Sequence, residues 1–280
     1  MAIAHLSERE FRRLAEFIEG NLGIRMPPTK KVMLESRLHK RLRILDYDSY
    51  TDYLDHVFAE GTASDELVHM IDAVTTNKTD FFREPDHFRY LQEKILPRHV
   101  EHDGWGYDEP LHTWSAAASS GEEPYTLAMV LQEFARQNSG FQYDVLGTDI
   151  STRVLERARQ AVYPVDRLAP VSADLKKRYF LKSKDATKSL ARVKPELRRA
   201  VRYQRLNLMD DDFGLRQTFH VIFCRNVIIY FDRPRQLKLV EHLYRYLRPS
   251  GYLILGHSET LAGADLPYRT VAPTIYQRID

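Results

Sequence analysis

The sequence predicts a doubly wound α/β domain that contains a small inserted antiparallel β-subdomain and follows a small all-helical domain. Three observations predict this fold. Residues 1–75 carry apolar side chains at helical spacing, and strand-like and helix-like segments alternate from about residue 111, as in a parallel sheet covered by helices. Short segments between residues 174 and 205 interrupt the alternation. We therefore expect domains at 1–75 and 76–280, with the inserted subdomain at about 174–205.

Capping signals and apolar spacing predict the helices of the N-terminal domain. Ser7 and Glu10 have the spacing of a capping box, and a second helix is predicted from about Thr29 to Leu45. Further helices are expected to begin near Ser49 and at Ser64. The second helix carries its apolar residues within one narrow arc, which favours a buried face. These residues are Leu34, Leu38, Leu42 and Leu45.

The rest of the chain supplies the elements of the predicted α/β domain. A helix that carries Phe88 is expected to end at Pro97, because proline interrupts a helix interior. Helices are then predicted from about Glu122 to Arg136, from about Ser151 to Gln160, and after Asp232. The predicted strands are LHTWSAA, YDVLGTD, FHVIFCRN, GYLILG and TIYQR in the main sheet, and KRYFLK, SLARV and AVRYQ in the subdomain.

Composition excludes several classes of protein. No run of about 18 uncharged apolar residues is present, so no membrane span is predicted. The charged N-terminus, MAIAHLSEREFRRL, lacks the apolar run of a signal peptide, and we expect a cytoplasmic protein. The single cysteine, Cys224, excludes an intramolecular disulfide and a cysteine-rich zinc site. The 11 histidines form no H-x-H or H-E-x-x-H motif, so we predict no metal.

Charge is unevenly distributed along the chain, whose formal net charge is +2. Between Arg25 and Arg43, seven Lys and Arg against one Glu give +6, and between Lys176 and Arg205, twelve against two acidic residues give +10. Two basic islands of this kind favour acidic partners. Solvated faces without a partner are the alternative for each island.

Two predicted strand ends carry the residue types of a cofactor site. Small residues from Ala116 to Gly121 let a backbone approach a ligand, although tight strand–helix packing is an alternative. The turn is not G-x-G-x-x-G and no P-loop lysine follows, which disfavours a dinucleotide or nucleoside triphosphate. Asp149 ends the next strand, where a carboxylate accepts hydrogen bonds from the ribose of an adenosine cofactor such as S-adenosylmethionine. A helix N-cap is the alternative for Asp149.

A third signal is FCRNVIIYFD, at the end of a later strand. Asn226 brings amide donors and an acceptor to the edge where ligands bind in open α/β sheets, and Tyr230 lies four residues further on. A simple loop start is the alternative for Asn226, and an aromatic that only packs the rim is the alternative for Tyr230. These three strand ends predict one ligand site.

Six segments resemble one known family. They are TTNKTDFFREPDHF, WSAAASSGEEPYTLAM, LGTDIS, RVKPELRRAVRYQRLNL, FCRNVIIYF and GYLILGHSETL. Nearly the whole chain resembles the CheR-type chemotaxis receptor glutamate O-methyltransferases. The resemblance implies transfer of a methyl group from S-adenosylmethionine to the γ-carboxylate of glutamates on chemotaxis receptors, for sensory adaptation, with S-adenosylhomocysteine as product. The loop ASSGEE departs from the S-T-G-E-E that members often carry, but Ser120 keeps the hydroxyl.

The resemblance also implies the residues of the site. Arg83 is singled out for chemistry because a guanidinium binds a carboxylate through two parallel hydrogen bonds. That carboxylate belongs to the cofactor or to the substrate glutamate, and a surface salt bridge to Glu84 or Asp86 is the alternative. Tyr230 is expected to donate to the substrate carboxylate, and Glu122 to face the cofactor's ammonium or to compensate the helix dipole. The implied cofactor-binding residues are Asn77, Thr79, Arg83, Glu122, Asp149, Asn207, Leu208, Asn226 and Val227.

The reaction explains why no general base is evident. A glutamate with a pKa of about 4.3 is ionised at neutral pH, so the enzyme must supply alignment and remove water. A nucleic-acid methyltransferase is disfavoured, because the strand end reads RNVIIY without the N-P-P-Y type of loop that grips a flipped base. A non-catalytic cofactor-sensing module is the second rival, and Arg83, Asn226 and Tyr230 argue against it.

The expected partners are chemotaxis receptors, with no nucleic acid and no membrane insertion. The first basic island is predicted to lie against acidic receptor helices. The second is predicted to dock a short acidic-aromatic peptide at the receptor C-terminus on an exposed edge strand. The predicted receptor-binding residues are Arg37, Lys40, Arg41 and Arg43 in the first island and Arg192, Lys194, Arg198 and Arg199 in the second.

Overall fold

The computed structural model describes residues 5–59, 65–185, 187–261 and 263–279. The N-terminal part is helical, and Leu34, Leu38 and Leu42 are buried in its core as predicted. Leu45 is 36% exposed because the second helix ends one residue earlier. The predicted helix start at Ser64 lies outside the described residues. The helices are α1 (Glu8–Leu22), α2 (Lys31–Ile44), α3 (Tyr50–Ala59) and α4 (Asp65–Val74).

Local signals fix both ends of α1. Ser7 Oγ accepts a hydrogen bond from Glu10 N at 3.3 Å, and Glu10 Oε2 accepts one from Ser7 N at 2.7 Å, which forms the predicted capping box. Gly23 ends the helix with φ of 71°, a left-handed conformation that favours glycine. A Cβ at Gly23 would lie 2.5 Å from Met209 Sδ, so the helix end also packs closely against the second domain.

The helix after residue 84 does not end at Pro97, so that prediction is wrong. A helical turn of the π type, Leu91–Ile95, separates α5 (Pro85–Tyr90) from α6 (Leu96–Asp103). Leu96 N donates to Leu91 O, five residues back, which is the π pattern. Pro97 then takes one of the first two positions of α6, where a missing N–H costs little, and the helical path continues to Gly104.

The α/β part contains the predicted parallel sheet. Seven strands lie in the order β6-β2-β1-β7-β8-β10-β9; the first five are parallel, and β10 pairs antiparallel with both β8 and β9. Apolar clusters cover both faces of this sheet. The strands are β1 (Leu111–Ala116), β2 (Tyr143–Asp149), β3 (Val162–Pro164), β4 (Phe180–Lys182), β5 (Leu190–Val193), β6 (Val201–Arg205), β7 (Phe219–Cys224), β8 (Leu247–Leu255), β9 (Tyr268–Ala272) and β10 (Ile275–Arg278). The helices are α7 (Glu122–Gln137), α8 (Thr152–Gln160), α9 (Ala173–Tyr179), α10 (Pro195–Ala200) and α11 (Arg233–Tyr246).

The inserted subdomain is an antiparallel sheet of order β3-β5-β4, but its strands differ from those predicted. The segment AVRYQ forms β6, which pairs in parallel with β2 at the edge of the main sheet. Val201 is buried there against the main core, which favours that pairing. The third strand of the small sheet is instead β3, whose three residues are too few to show an alternating pattern. The small sheet therefore extends from Val162 to Val193, and not from about 174 to 205.

The helical part covers the carboxyl edge of the main sheet. Asp72 on α4 accepts hydrogen bonds from Thr152 Oγ1 at 2.9 Å and Arg153 N at 3.2 Å, at the start of α8. Asn207 Nδ2 donates to Asn21 O at 2.8 Å, and Arg25 N donates to Tyr230 O at 2.9 Å. These contacts close one side of a cleft above the sheet. None of the helices in the described ranges is long and apolar enough to cross a membrane.

Candidate active site

A cleft lies between the helical part and the carboxyl ends of β1, β2 and β7. The cleft is partly open to solvent, and residues of both parts of the chain line it. The structure brings most of the predicted site residues together on its walls. They are Asn77, Thr79, Arg83, Asp149, Asn207, Leu208, Asn226, Val227 and Tyr230.

The turn after β1 is shaped both for packing and for ligand approach. A Cβ at Gly121 would lie 2.8 Å from Tyr203 Oη and 2.9 Å from Ala158 Cβ, so close packing requires glycine there, as the alternative interpretation held. Ala117 and Ser119 line the cleft with φ of 67° and 49°. The left-handed backbone at these small residues brings the main chain to the cleft surface.

Asp149 ends β2 with its carboxylate held toward the cleft. Oδ2 accepts from Ser119 N and Oδ1 from Ser151 N, both at 2.9 Å. Burial raises the pKa of Asp149 to about 6, although these backbone bonds oppose the rise. The N-cap of α8 is Ser151, whose Oγ accepts from Val154 N. The capping role that was the alternative for Asp149 is therefore taken by its neighbour.

Glu122, which is predicted to face the cofactor's ammonium, is not among the described residues that line this cleft. Its carboxylate is buried behind the turn, where it accepts from Ser120 Oγ at 2.7 Å and from Arg167 Nη2 at 3.1 Å. Glu123 lines the cleft instead. Successive helix residues point about 100° apart, so a shift of one position at a helix start changes the face completely. Burial raises the pKa of Glu123, and the nearby Arg225 opposes that rise.

Arg225 is a functional residue that the sequence analysis missed. Its side chain is 1% exposed and lies 3.0 Å from Glu84 Oε2 and 3.1 Å from Glu123 Oε2. A charged residue directly after the apolar run FHVIFC was the available signal, because such a residue at a buried strand end needs carboxylate partners. Arg225 lines the cleft and orders the two glutamates beside it.

Arg83 keeps its guanidinium available for a ligand. Nη1 donates to Lys78 O at 2.9 Å. Its expected alternative partners are taken, since Glu84 pairs with Arg225 and Asp86 pairs with Arg89 at 3.1 Å. Across the residues that the structure describes, Arg83 forms no salt bridge to a carboxylate. A cleft-lining guanidinium in this state fits a carboxylate ligand.

The loop after β7 is fixed by one carboxylate. Glu259, which is 5% exposed, accepts from the backbone N of Asn226 at 2.9 Å, Val227 at 3.0 Å and Ile229 at 3.3 Å. Asn226 has φ of 57°, and its Nδ2 donates to Glu84 Oε1 at 3.0 Å. Asn226 and Tyr230 are therefore presented by a rigid turn. Nothing in the spacing of the motif GHSETL indicated this role for its glutamate.

The helical part adds a wall that the sequence did not predict. Leu22, Ile24, Met26 and Met33 line the cleft, together with Lys30. Only the fold shows that these residues face Asp149, because they are more than a hundred positions away in the chain. Their apolar side chains exclude water from the same space that the charged residues share.

Comparison with models of known protein families identifies the family of this chain. The family model described as "CheR methyltransferase, SAM binding domain" matches residues 77–276, and "CheR methyltransferase, all-alpha domain" matches residues 9–75. This chain belongs to the CheR methyltransferase family. Its cleft is thus that of an S-adenosylmethionine-binding methyltransferase of the chemotaxis type, and both the resemblance and the fold class are confirmed.

Relatives match this CheR chain over nearly its whole length. The chemotaxis protein methyltransferase of Borreliella burgdorferi is 38% identical over 98% of this chain and 95% of its own. Chemotaxis protein methyltransferase 2 of Pseudomonas aeruginosa is 39% identical over 97% of this chain and 94% of its own. The chemotaxis protein methyltransferase of Escherichia coli is 35% identical over 97% of this chain and 91% of its own.

One cluster of metal-ligand types lies beside the cleft of this CheR chain. Ligand atoms of Glu84, His87 and His257 lie within 4.8 Å of one another, although they come from separate segments. Glu84 already accepts hydrogen bonds from Arg225 and Asn226. Burial and the charge of Arg225 lower the pKa of His87 to about 4. The adjacent guanidinium disfavours a cation at this position.

The structure divides the first basic island into two kinds of residue. Arg37 donates to Val74 O at 2.6 Å and to Thr76 Oγ1 at 3.0 Å, and Arg41 forms a bidentate salt bridge with Glu66. These contacts hold the helical part together and turn both guanidinium groups away from an external partner. Lys40 and Arg43 are exposed on α2.

The four predicted receptor-binding residues of the second basic island lie on β5, α10 and the segment between them. Arg192 is exposed, with Nε donating to Gln160 O at 3.1 Å, and Lys194 Nζ donates to Lys177 O at 3.3 Å. Arg198 and Arg199 lie on α10, outside the small sheet. Since β5 is the central strand, the free edges of that sheet belong to β3 and β4.

Proposed function

We propose that this protein methylates the γ-carboxylate of specific glutamates on chemotaxis receptors, forming glutamate methyl esters for sensory adaptation. One observation carries the proposal. A single cleft is lined by an oriented carboxylate, Asp149, by Tyr230, and by Arg83, whose guanidinium has no carboxylate partner among the described residues. This arrangement suits an adenosine-type cofactor and an acidic side chain in one space.

The cleft residues fit S-adenosylmethionine by the chemistry of their donors and acceptors. The Asp149 carboxylate accepts backbone hydrogen bonds from Ser119 and Ser151, and its remaining acceptor capacity suits ribose hydroxyls. Glu123 is the acidic group suited to the cofactor's ammonium, in place of Glu122, and Arg83 suits a carboxylate. Asn77, Thr79, Asn207, Leu208 and Val227 complete the walls around these groups.

When bound, S-adenosylmethionine supplies an electrophilic methyl group on a sulfonium sulfur and leaves as S-adenosylhomocysteine. The substrate glutamate is already ionised at neutral pH and needs no base. Tyr230 is proposed to donate its hydroxyl to the substrate carboxylate and align it. The reaction joins opposite charges, so the apolar wall of Met26, Met33 and Ile24 favours it by excluding water from the carboxylate.

Receptor recognition is proposed to use two surfaces. Lys40 and Arg43 on α2 face acidic receptor helices, and the small sheet docks a receptor C-terminal peptide at a free edge strand. β4 suits that addition because it is an edge strand and Leu181 on it is 51% exposed. Arg192 on the neighbouring strand supplies a cation for the peptide's acidic groups. A tether of this kind raises the effective concentration of substrate.

Transfer of a radiolabelled methyl group tests the proposal. The full-length protein is incubated with labelled S-adenosylmethionine and the cytoplasmic fragment of a chemotaxis receptor. We expect label in the receptor band and its release as methanol under mild base, because carboxylate esters hydrolyse there. Arg83→Ala should abolish transfer, whereas Arg89→Ala, on the exposed face of α5, should not. Label that resists base would show that the acceptor is not a carboxylate.

A further inference from the structure

Among the described residues, a hollow at the free edge of the main sheet is lined by four arginines and by no carboxylate. Arg159 comes from α8, Arg198 and Arg199 from α10, and Arg202 from β6. None of the residues that line this hollow also lines the cofactor cleft. The remaining lining residues are Tyr125, Pro195, Val201 and Tyr203.

Two of these arginines lack an anionic partner. Within the described ranges, the guanidinium groups of Arg198 and Arg199 form no ion pair, and Arg198 Nε is buried without an acceptor. The other two arginines each have a partner. Arg159 Nη2 donates to Tyr203 O at 3.2 Å, and Arg202 Nη2 lies 3.4 Å from Asp144 Oδ1. A buried N–H without an acceptor is costly, so an anionic ligand would stabilise this arrangement.

The guanidinium groups favour a phosphate-type anion. Guanidinium groups bind phosphate oxygens through paired hydrogen bonds, and four arginines from three elements line this hollow. Carboxylates on an extended peptide point to alternate sides and are at least about 3.3 Å apart along the chain. A polyphosphate chain instead carries negative charge on every successive group. We propose that this hollow binds a polyphosphate chain, either free or as part of a nucleoside triphosphate.

Calorimetry with inorganic tripolyphosphate as the probe tests this proposal on the full-length protein. Saturating S-adenosylhomocysteine is present throughout, so that the cofactor cleft is blocked. We expect saturable binding at one site, which weakens as salt rises. The double variant Arg198→Gln/Arg199→Gln should weaken it by about tenfold or more, from the loss of charge-assisted hydrogen bonds. Adenosine triphosphate in a parallel arm distinguishes the sources: tighter binding than tripolyphosphate assigns the site to a nucleotide, and equal binding assigns it to the phosphate chain alone.

A control variant that removes the same number of positive charges shows whether the effect is specific to this hollow. Lys182→Gln/Lys184→Gln removes two exposed cations from the small sheet and its loop and should leave the affinity unchanged. The single variant Arg199→Gln, at an exposed position, provides the test if the double variant misfolds. Absence of saturable binding, or equal weakening in the lysine control, overturns the proposal. The proposal is also overturned if the arginine variant loses affinity for an acidic receptor peptide but keeps wild-type affinity for tripolyphosphate.

Discussion

Asp149 shows how the fold prepares one side chain for a ligand. Backbone N–H groups from two elements, at Ser119 and Ser151, each bind one of its oxygens at 2.9 Å. The carboxylate is therefore oriented before any cofactor arrives. Burial raises its pKa to about 6, from about 3.9 for an exposed aspartate. The proposed contact of Asp149 with the cofactor ribose is therefore expected to depend on the protonation of this residue.

The affinity for S-adenosylhomocysteine should depend on pH through Asp149. The ionised carboxylate accepts from both ribose hydroxyls, whereas the protonated form loses acceptor capacity. The affinity should therefore be full above the folded pKa and fall as the pH is lowered through about 6. Calorimetry from about pH 5 to about pH 8 should show this step in the wild type. Asp149→Ala should remove the step and lose about 1–3 kcal/mol at neutral pH.

Glu156→Ala, at an exposed position on α8, is the control and should keep both the affinity and the step. A flat profile in the wild type, or wild-type affinity in Asp149→Ala, contradicts the ribose assignment.

Tyr230 separates binding from chemistry. Tyr230→Phe removes one hydroxyl that is proposed to act on the substrate carboxylate, so the affinity for S-adenosylhomocysteine should stay while kcat falls by about tenfold or more. Calorimetry and initial rates with a receptor fragment measure the two quantities. Tyr246→Phe, whose hydroxyl donates to Asp212 away from the cleft, is the matched control. Unchanged turnover in Tyr230→Phe would mean that the ring only packs the rim.

At the scale of elements, the loop after β7 depends on the segment that directly follows β8. Glu259 binds backbone N–H groups on Asn226, Val227 and Ile229, and it also accepts from Gly256 N at 2.7 Å. A Cβ at Gly256 would lie 2.7 Å from Asn226 Nδ2, so the close approach requires glycine. The segment after β8 thereby positions the residues that follow β7.

Glu259→Gln should loosen this loop. An amide offers one oxygen where the carboxylate offers two, and its NH2 group would face backbone donors. We expect a loss of about 1–3 kcal/mol in the free energy of unfolding, together with lower kcat. Denaturant unfolding and initial rates measure these effects. Glu241→Gln, exposed on α11, should change neither quantity, and unaltered stability in Glu259→Gln would show that the loop is held by other contacts.

An element could be predicted from the sequence where a strong local pattern was sufficient to determine its structure. The capping box at Ser7 and the leucines of α2 are such cases. The strand β3 and the π turn before Pro97 depend on pairing and packing that three or five residues do not reveal. The same limit applies to the site: strand ends indicated Asp149 and Asn226, whereas Arg225 and Glu259 act through partners that only the fold brings near.

At the scale of the whole molecule, the helical part closes the cleft and carries the surface proposed for the receptor. Asp72 joins it to the start of α8 through Thr152 and Arg153, directly beside Asp149. Arg37 and Arg41 are used inside this part, which leaves Lys40 and Arg43 as its exposed cations on that stretch of α2. The proposed receptor-contact residues Lys40 and Arg43 thus lie on the same helix as Met33, which lines the cleft.

Charge reversal at Lys40 and Arg43 should reduce methylation of the receptor without changing cofactor affinity. Opposite charges steer encounter, so the rate difference between Lys40→Glu/Arg43→Glu and the wild type should shrink as salt rises. Initial methylation rates at low and high salt measure it. Arg12→Glu/Arg9→Glu, at exposed positions on α1, is the control. Equal rates for the Lys40/Arg43 variant and the wild type at low salt would place receptor contact elsewhere.

Tandem mass spectrometry of the receptor after incubation with the protein and S-adenosylmethionine tests the central claim most directly. The account predicts added mass of one methylene group on particular glutamates, absent with Arg83→Ala and lost after base treatment. Methylation found on lysine, on nucleic acid or on no residue of the receptor would contradict it.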